Sequence, residues 1–113
     1  MKRISTHVLD LVLGKPATDV AVRLEKQEPS GWSLVASVRT DRDGRCGQLL
    51  PENTGLSAGF YRLAFDTGSY YEAQRIAALY PMIEVIFQVR DGETEFHIPL
   101  LLSPNGYTTY RGS

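Results

Sequence analysis

The amino-acid sequence predicts a mainly β protein, a two-sheet β-sandwich of about seven or eight short strands with one short α-helix. Short runs of the chain alternate apolar and polar side chains, which is the period of a half-buried strand. Turn-forming Gly, Pro, Asp and Asn separate these runs. A single segment departs from the alternation and has helical spacing instead. Many short strands with frequent turns favour a sandwich over an α/β fold.

The first half of the chain contains four predicted strands. The first is followed by a Gly-Lys-Pro turn, and the second is the clearest alternating run. In the third, Leu34, Ala36 and Val38 are expected to share one face. An Asp-Arg-Asp-Gly turn precedes the fourth, since Asp caps such turns and Gly tolerates a positive φ. The strands are predicted at residues 4–13, 20–25, 32–39 and 45–50.

The second half contains four further predicted strands. The pair Asp91 and Gly92 is expected to connect two of them as a hairpin turn. A Ser-Pro-Asn-Gly turn then leads into the last strand. These strands are predicted at residues 60–66, 82–89, 95–102 and 107–111.

One segment, at about residues 69–78, is predicted to be a helix. Ser69 and Glu72 have the spacing of a capping box, in which each side chain satisfies a free backbone amide. Apolar side chains at helical spacing follow, and Pro81 is expected to stop the helix.

Size and charge limit the classes of protein that the chain can represent. With 113 residues, the chain is expected to form a single domain over 1–113. The formal net charge of −1 argues against nucleic acid or an anionic membrane as the main partner, because both require an excess of Lys and Arg. The basic N-terminus has no apolar signal-peptide core behind it, and a cytoplasmic location is therefore expected.

Reactive side chains are scarce. Cys46 is the one cysteine, so the chain can form neither an internal disulfide nor a cysteine-based zinc site. Two histidines, His7 and His97, are too few for a three-histidine metal site within one chain. We therefore expect no metal, and we interpret Cys46 as a small filler of the interior rather than a nucleophile.

Both histidines lie in strands whose two faces are apolar. His7 shares a face of the first strand with Leu9, and Val8 lies on the other face. In the penultimate strand His97 shares a face with Leu101, opposite further apolar residues. One face is expected to be the sandwich core, and the histidine face is expected to pack against a partner subunit or line a cleft. Two structural histidines with satisfied hydrogen bonds are the alternative.

Four segments of the chain, in order, resemble the transthyretin superfamily. They are Thr-His-Val-Leu-Asp at 6–10 followed by Gly-Lys-Pro-Ala, Phe-Asp-Thr-Gly-Ser-Tyr-Tyr at 65–71, Leu-Leu-Ser-Pro at 101–104, and the ending Tyr-Arg-Gly-Ser at 110–113. That ending is similar to the C-terminal tetrapeptide of one branch, the 5-hydroxyisourate hydrolases. The resemblance covers essentially the whole chain.

The resemblance implies a transthyretin-like sandwich that assembles as a homotetramer, with active sites at the dimer–dimer interface and no cofactor. It also implies which residues form the site. The catalytic residues would be His7, His97 and Arg45, and the substrate-binding residues would be Arg45, Tyr110, Arg111 and Ser113.

The implied reaction belongs to urate catabolism. It is the hydrolysis of 5-hydroxyisourate to 2-oxo-4-hydroxy-4-carboxy-5-ureidoimidazoline. Attack of water on a ring carbonyl needs a base near neutral pH, for which histidine is suited, and a fixed positive charge for the oxyanion. We expect His7 to be the base, His97 to position water or protonate the leaving nitrogen, and Arg45 to bind substrate and stabilise the oxyanion. The reverse division of roles between the two histidines is the alternative. A transthyretin-like small-molecule carrier without catalysis is the alternative.

Overall fold

The computed structural model describes residues 2–113 and contains nine strands and one helix within them. In chain order these are β1 (Arg3–Asp10), β2 (Lys15–Pro16), β3 (Ala21–Glu28), β4 (Gly31–Arg39), β5 (Arg45–Cys46), β6 (Gly59–Phe65), α1 (Thr67–Glu72), β7 (Ile83–Val89), β8 (Glu95–Ser103) and β9 (Gly106–Thr109). One sheet has the order β2-β1-β8-β9, with β5 paired to β1; the other has the order β4-β3-β6-β7. The predicted mainly β architecture of two sheets and a short helix is confirmed.

The core lies between the two sheets and takes alternate side chains from each strand. Val8 and Leu100 from one sheet meet Leu24, Leu63 and Phe65 from the other, all with no exposed surface. Successive side chains of a strand point to opposite faces, so the neighbours of Val8 and Leu100 lie on the outer face of their sheet. The histidine-bearing side of β1 and β8 is that outer face, as predicted.

The pairing of three strands determines what lies on this outer face. β1 and β8 run parallel, with Ser5 opposite His97 and His7 opposite Pro99. The short β5 runs antiparallel to β1 on its other side and places Arg45 opposite His7. Residues 92 positions apart in the chain are thereby brought onto one surface, because directly opposed residues of paired strands share a face.

The beginning of the chain turns earlier than predicted. β1 ends at Asp10 rather than at residue 13, because the Asp10 carboxylate accepts hydrogen bonds from the backbone N–H groups of Val12 and Leu13, both at 3.0 Å. The Gly-Lys-Pro segment was predicted only to close the strand. Its Lys15 and Pro16 instead form β2, which pairs back onto β1. This hairpin accounts for the additional strand.

Two further strand predictions were wrong in detail. The predicted strand at 45–50 is reduced to the two residues of β5. On β4, the face expected for Leu34, Ala36 and Val38 is interrupted, because the register with β3 shifts at Leu24/Glu25. Such a bulge places two residues opposite one and reverses the alternation, so Leu34 is 61% exposed whereas Ala36 packs against the core.

The helix is shorter than predicted and is capped by a different residue. The N-cap of α1 is Asp66, whose carboxylate accepts from the Ser69 N–H at 3.1 Å, so the predicted Ser69 capping box is wrong. Arg75 adopts a positive φ of 59°, and its N–H bonds to the carbonyl of Glu72. This reversal ends the helix well before Pro81. No helix within residues 2–113 has the length and apolar character needed to cross a membrane.

Candidate active site

A cavity of about 200 Å³ opens on the outer face of the β1–β8 sheet. Its walls come from the start of β1, from β5, from β8 and from the end of the chain. The residues that line it are Arg3, Ser5, Thr6, Arg45, Gly47, Glu95, Phe96, His97, Gly112 and Ser113. Of the predicted site residues, the structure thus brings Arg45, His97 and Ser113 together around one cavity. His7 lies beside it on the same face, opposite Arg45 in the strand register.

His97 is held by one side-chain hydrogen bond and by the chain terminus. Its Nδ1 lies 2.8 Å from the Oγ of Ser5, which is itself only 5% exposed. The Gly112 N–H donates to the His97 carbonyl oxygen at 2.6 Å, which fixes the last residues of the chain across this strand. The imidazole therefore has a defined orientation at the wall of the cavity.

The electrostatic surroundings of His97 favour its neutral form. Partial burial lowers its pKa from the ordinary value of 6.5, and the charges of Arg45, His7 and Arg3 lower it further. Both effects disfavour the imidazolium, because a cation loses hydration on burial and is repelled by like charge. At neutral pH the ring is accordingly uncharged and able to accept a proton or a hydrogen bond.

A backbone carbonyl group holds the His7 ring in one tautomer. Its Nε2 lies 2.8 Å from the carbonyl oxygen of Asp43. A carbonyl oxygen only accepts hydrogen bonds, so Nε2 must carry the proton and donate it. In the neutral ring this leaves Nδ1 as the nitrogen that can accept a proton.

The turn at residues 41–44 supplies both that carbonyl and the start of β5. One oxygen of the Asp41 carboxylate accepts from the N–H of Asp43 at 2.8 Å and from the N–H of Arg45 at 3.0 Å. The Arg45 backbone hydrogen bond is the main cause that lowers the pKa of Asp41. Gly44 has a φ of +75°, and a Cβ there would clash with the Val8 carbonyl oxygen. The turn is thus packed directly against β1.

Positive charge dominates one side of the cavity. Arg45 is exposed, and its guanidinium has no ion-pair partner among the residues that the structure describes. Arg3 lies nearby and donates from Nε to the Gly47 carbonyl oxygen at 2.7 Å. A guanidinium stays protonated at all relevant pH values and has several donors in a planar fork. The site is therefore suited to a polar or anionic ligand.

The side chains of Tyr110 and Arg111 point elsewhere. Arg111 pairs with Glu93 at 3.1 Å, donates to the Glu95 carbonyl oxygen at 3.1 Å, and lies 4.5 Å from the centre of the Phe96 ring. Tyr110 and Arg111 line a second, more apolar cavity of about 380 Å³ between β7 and the last strands. Within one chain they are therefore separated from the cavity lined by Arg45, His97 and Ser113.

Cys46 lies directly beside Arg45 but on the opposite face of β5. It is 3% exposed, and burial is the main cause that raises the pKa of its thiol to about 11. The thiol is protonated and inaccessible at neutral pH, as expected of a side chain that fills the interior. Within residues 2–113, no three His, Cys, Asp or Glu side chains lie close enough together to hold a metal ion.

Sequence reasoning missed three residues around this site: Arg3, Ser5 and Asp41. Arg3 and Ser5 precede His7 by four and two positions in the same strand. The two-residue period of a strand places all three on one face, so that signal could have identified them. The Asp41 turn was recognised as a turn, but no local pattern indicates that its backbone reaches a histidine 36 residues earlier.

Sequence and structural similarity identify the relatives of this chain. The HIUase/Transthyretin family model matches residues 4–112. The chain is 43% identical over 110 residues to the 5-hydroxyisourate hydrolase of Salmonella typhimurium, covering 97% of this chain and 80% of that protein. The structure of Klebsiella pneumoniae 5-hydroxyisourate hydrolase superposes with a TM-score of 0.87 at 33% identity, over 100% of both chains. Sea bream transthyretin in complex with thyroxine gives 0.89 at 33% identity, over 97% and 94% of the chains.

These similarities confirm the predicted transthyretin-like sandwich, since two solved structures share the fold over nearly the whole chain. The family match includes His7 in β1, Arg45 in β5 and His97 in β8. It extends into the tail as far as Gly112. The chain belongs to the HIUase/Transthyretin family.

Proposed function

We propose that the protein hydrolyses 5-hydroxyisourate and opens its six-membered ring to give 2-oxo-4-hydroxy-4-carboxy-5-ureidoimidazoline in urate catabolism. The observation that carries the proposal is the gathering of Arg45, His97 and the chain terminus around one cavity, with His7 beside them. Relatives that are 38–43% identical to this chain are named 5-hydroxyisourate hydrolases. The arrangement supplies a base, a cation and a cavity of about 200 Å³.

His7 is the base in this reaction. Its Nε2 proton is engaged by the Asp43 carbonyl, and its Nδ1 takes a proton from water as the water oxygen bonds to the ring carbonyl carbon. The carbon–nitrogen bond of the ring then breaks. The imidazolium of His7 returns the proton to the leaving nitrogen, and the carbonyl carbon becomes the new carboxylate.

His97 and Arg45 act on water and on the developing charge. The neutral His97 ring, oriented by Ser5, hydrogen-bonds the attacking water. The Arg45 guanidinium binds the planar substrate and stabilises the oxyanion that forms when the carbonyl is attacked. Because a guanidinium stays protonated, this positive charge is already present when the carbonyl is attacked.

The C-terminal tail closes one side of the site. Ser113 contacts substrate from the cavity wall, and Arg111 holds the tail in place through Glu93 and Phe96. Direct contact of Arg111 or Tyr110 with substrate stays a prediction. Such contact requires that the cavity lined by Tyr110 and Arg111 in one subunit lie next to the cavity lined by Arg45 and His97 in a neighbouring subunit.

We propose a homotetramer with its sites at the dimer–dimer interface. Support comes from exposed apolar side chains of the sheet that carries the site. Leu11, Val12 and Leu13 of the β1–β2 turn are 58%, 63% and 47% exposed, and Tyr107 and Tyr110 near the terminus are 42% and 54% exposed. Apolar clusters of this kind favour burial against another subunit. Light scattering after size exclusion should give four times the mass of the 12.6 kDa chain.

The direct test is turnover. Urate oxidase generates 5-hydroxyisourate in situ from urate, and its ultraviolet decay is followed with and without the protein. Faster decay at micromolar protein is expected, and unchanged decay would defeat the proposal. His7→Asn and His97→Asn should keep the assembly and lose most of the activity. Near-normal turnover in both variants would contradict the assigned roles.

A carrier function is the second candidate, because the fold matches thyroxine-bound sea bream transthyretin as well as it matches a hydrolase. Deletion of residues 111–113 separates the two. It removes the Gly112 hydrogen bond to His97 and the wall formed by Ser113, so a hydrolase should lose activity while the sandwich stays folded. A protein that turns nothing over yet binds a hydrophobic ligand, with or without residues 111–113, would be a carrier.

A further inference from the structure

We propose that Asp41 is a positioning residue for this reaction, because its carboxylate holds the backbone that orients both His7 and Arg45. The inference rests on the proposed function, in which these two side chains act on water and substrate. In this proposal the Asp41 side chain contacts neither the water nor the substrate. Its effect is transmitted through two backbone groups of the turn at 41–44.

The contacts form a short chain from the carboxylate to the two side chains. Asp41 Oδ1 accepts from the Asp43 N–H at 2.8 Å and from the Arg45 N–H at 3.0 Å. The carbonyl of Asp43 then accepts from His7 Nε2 at 2.8 Å. One carboxylate oxygen therefore fixes the residue that holds His7 and the residue that carries the guanidinium.

The Asp43 carbonyl has a chemical consequence for His7. A neutral imidazole carries its proton on one nitrogen, and the two arrangements differ little in energy without a partner. A carbonyl at Nε2 selects the form with a bare Nδ1. If the carbonyl moves by about an ångström, the selection is lost and the fraction of His7 with a basic Nδ1 falls.

The carboxylate is not required for the turn itself. Backbone hydrogen bonds already close the turn, from Gly44 N–H to the Asp41 carbonyl and from Asp41 N–H to the Arg45 carbonyl, both at 2.9 Å. The turn is also joined to β1, since the Val8 N–H donates to the Gly44 carbonyl at 2.7 Å. Removal of the Asp41 side chain should therefore leave the fold intact and loosen the placement of His7 and Arg45.

The role of charge is separable from that of the hydrogen bonds. The backbone N–H groups of Arg45 and Asp43, together with the charge of Arg45, lower the pKa of Asp41, so its carboxyl is ionised at neutral pH. An asparagine at this position keeps an acceptor oxygen for both N–H groups but carries no charge. An alanine removes both. Asp91, in the turn between β7 and β8, is an exposed aspartate whose removal serves as the control for loss of a surface carboxylate.

Steady-state kinetics of the full-length Asp41→Ala, Asp41→Asn and Asp91→Ala variants test the proposal. Asp41→Ala should lower kcat by about tenfold, a part of the roughly 10²–10⁴-fold that a positioned base contributes, and should also raise KM through Arg45. Asp41→Asn should stay within about threefold of the parent, as should Asp91→Ala. If Asp41→Ala merely left part of the protein misfolded and inactive, the apparent kcat would fall in proportion to that fraction and KM would be unchanged. That result would overturn the proposal, as would equal losses in Asp41→Ala and Asp41→Asn.

A second readout needs no activity. Nitrogen-15 NMR of the histidine side chains distinguishes a protonated from a bare ring nitrogen. In the parent protein and in Asp41→Asn, His7 should carry its proton on Nε2. In Asp41→Ala it should exchange between both forms. An unchanged His7 signal in Asp41→Ala would overturn the proposal even if the proposed substrate proved wrong. Exchange in Asp41→Ala, but not in the parent protein or in Asp41→Asn, would support the positioning role whether the protein is a hydrolase or a carrier.

Discussion

Gly112, the residue before the C-terminus, lies directly against the imidazole of His97. A Cβ at Gly112 would be 2.6 Å from His97 Cδ2 and 3.3 Å from Cγ, while the Gly112 N–H donates to the carbonyl of the same histidine at 2.6 Å. The tail can approach this closely only because glycine has no side chain. The end of the chain thereby forms one wall of the site and limits the orientations open to the ring.

Gly112→Ala should lower activity by about tenfold or more, because the new methyl must displace either the ring or the tail. Stability should hardly change, since the tail contributes little to the core. Turnover of 5-hydroxyisourate and the thermal unfolding midpoint, measured together, check this prediction. Gly106→Ala is the matched control, as the nearest atom to its Cβ is Ser103 Oγ at 3.8 Å. Equal activity in the two variants would contradict a role for the close contact.

Ser5→Ala should reduce kcat by about two- to tenfold, the range expected for one hydrogen bond of about 0.5–1.5 kcal/mol. The change removes the partner of His97 Nδ1, which lies 2.8 Å away, and loosens the orientation of the imidazole. Ser5→Thr keeps the hydroxyl on a residue suited to a strand, and it should retain more activity than Ser5→Ala. Kinetics of the two variants side by side measure the effect, and an inverted order would contradict it.

Arg45→Gln should raise the pKa of His97 toward its ordinary value of 6.5, because the variant removes a positive charge that disfavours the imidazolium. The shift is measured by following the ring protons of His97 against pH by NMR. Arg39→Gln serves as the control, since Arg39 pairs with Asp19 and is not among the charges that act on His97. A His97 pKa that stays constant or falls in Arg45→Gln would contradict the prediction.

The lowered pKa of His97 also predicts how the fold responds to acid. The unfolded chain takes up the His97 proton near pH 6.5, whereas the folded chain does so only at lower pH. The unfolded state therefore binds more protons in this window, and stability must decrease as pH falls from 6.5 through the lower folded value. Urea unfolding of the parent and of His97→Asn at several pH values isolates this contribution. The decrease in this window should be smaller in the variant.

Gly44→Ala should destabilise the fold by more than the same change at Gly92. Both glycines have a positive φ, +75° and +84°, so both variants incur backbone strain of about 1–3 kcal/mol. At Gly44 the methyl would also clash with the Val8 carbonyl oxygen, whereas at Gly92 no atom lies within 4 Å. Thermal unfolding should show the larger drop for Gly44→Ala, and similar midpoints would contradict the packing of this turn on β1.

Most of the fold could be predicted because its signals are local. The alternation in β3 and β6 depends on residues a few positions apart. The predicted hairpin at Asp91–Gly92 is wrong, because the strands on either side of this turn, β7 and β8, belong to different sheets. The errors arose where tertiary contacts override local pattern. The register of β4 against β3 shifts at a bulge, and α1 is followed by a residue with positive φ that no propensity indicates.

By itself the sequence determined the sandwich class, the outward face of His7 and His97, and, through the resemblance, the set of residues expected at the site. Only the tertiary structure decided how those residues meet. The parallel register of β1 and β8 placed Ser5 on His97, the turn of Asp41 placed a carbonyl on His7, and the tail directed Arg111 away from the cavity. Strand alternation is encoded in neighbouring residues, whereas register and side-chain partners depend on packing between segments 36 to 92 residues apart.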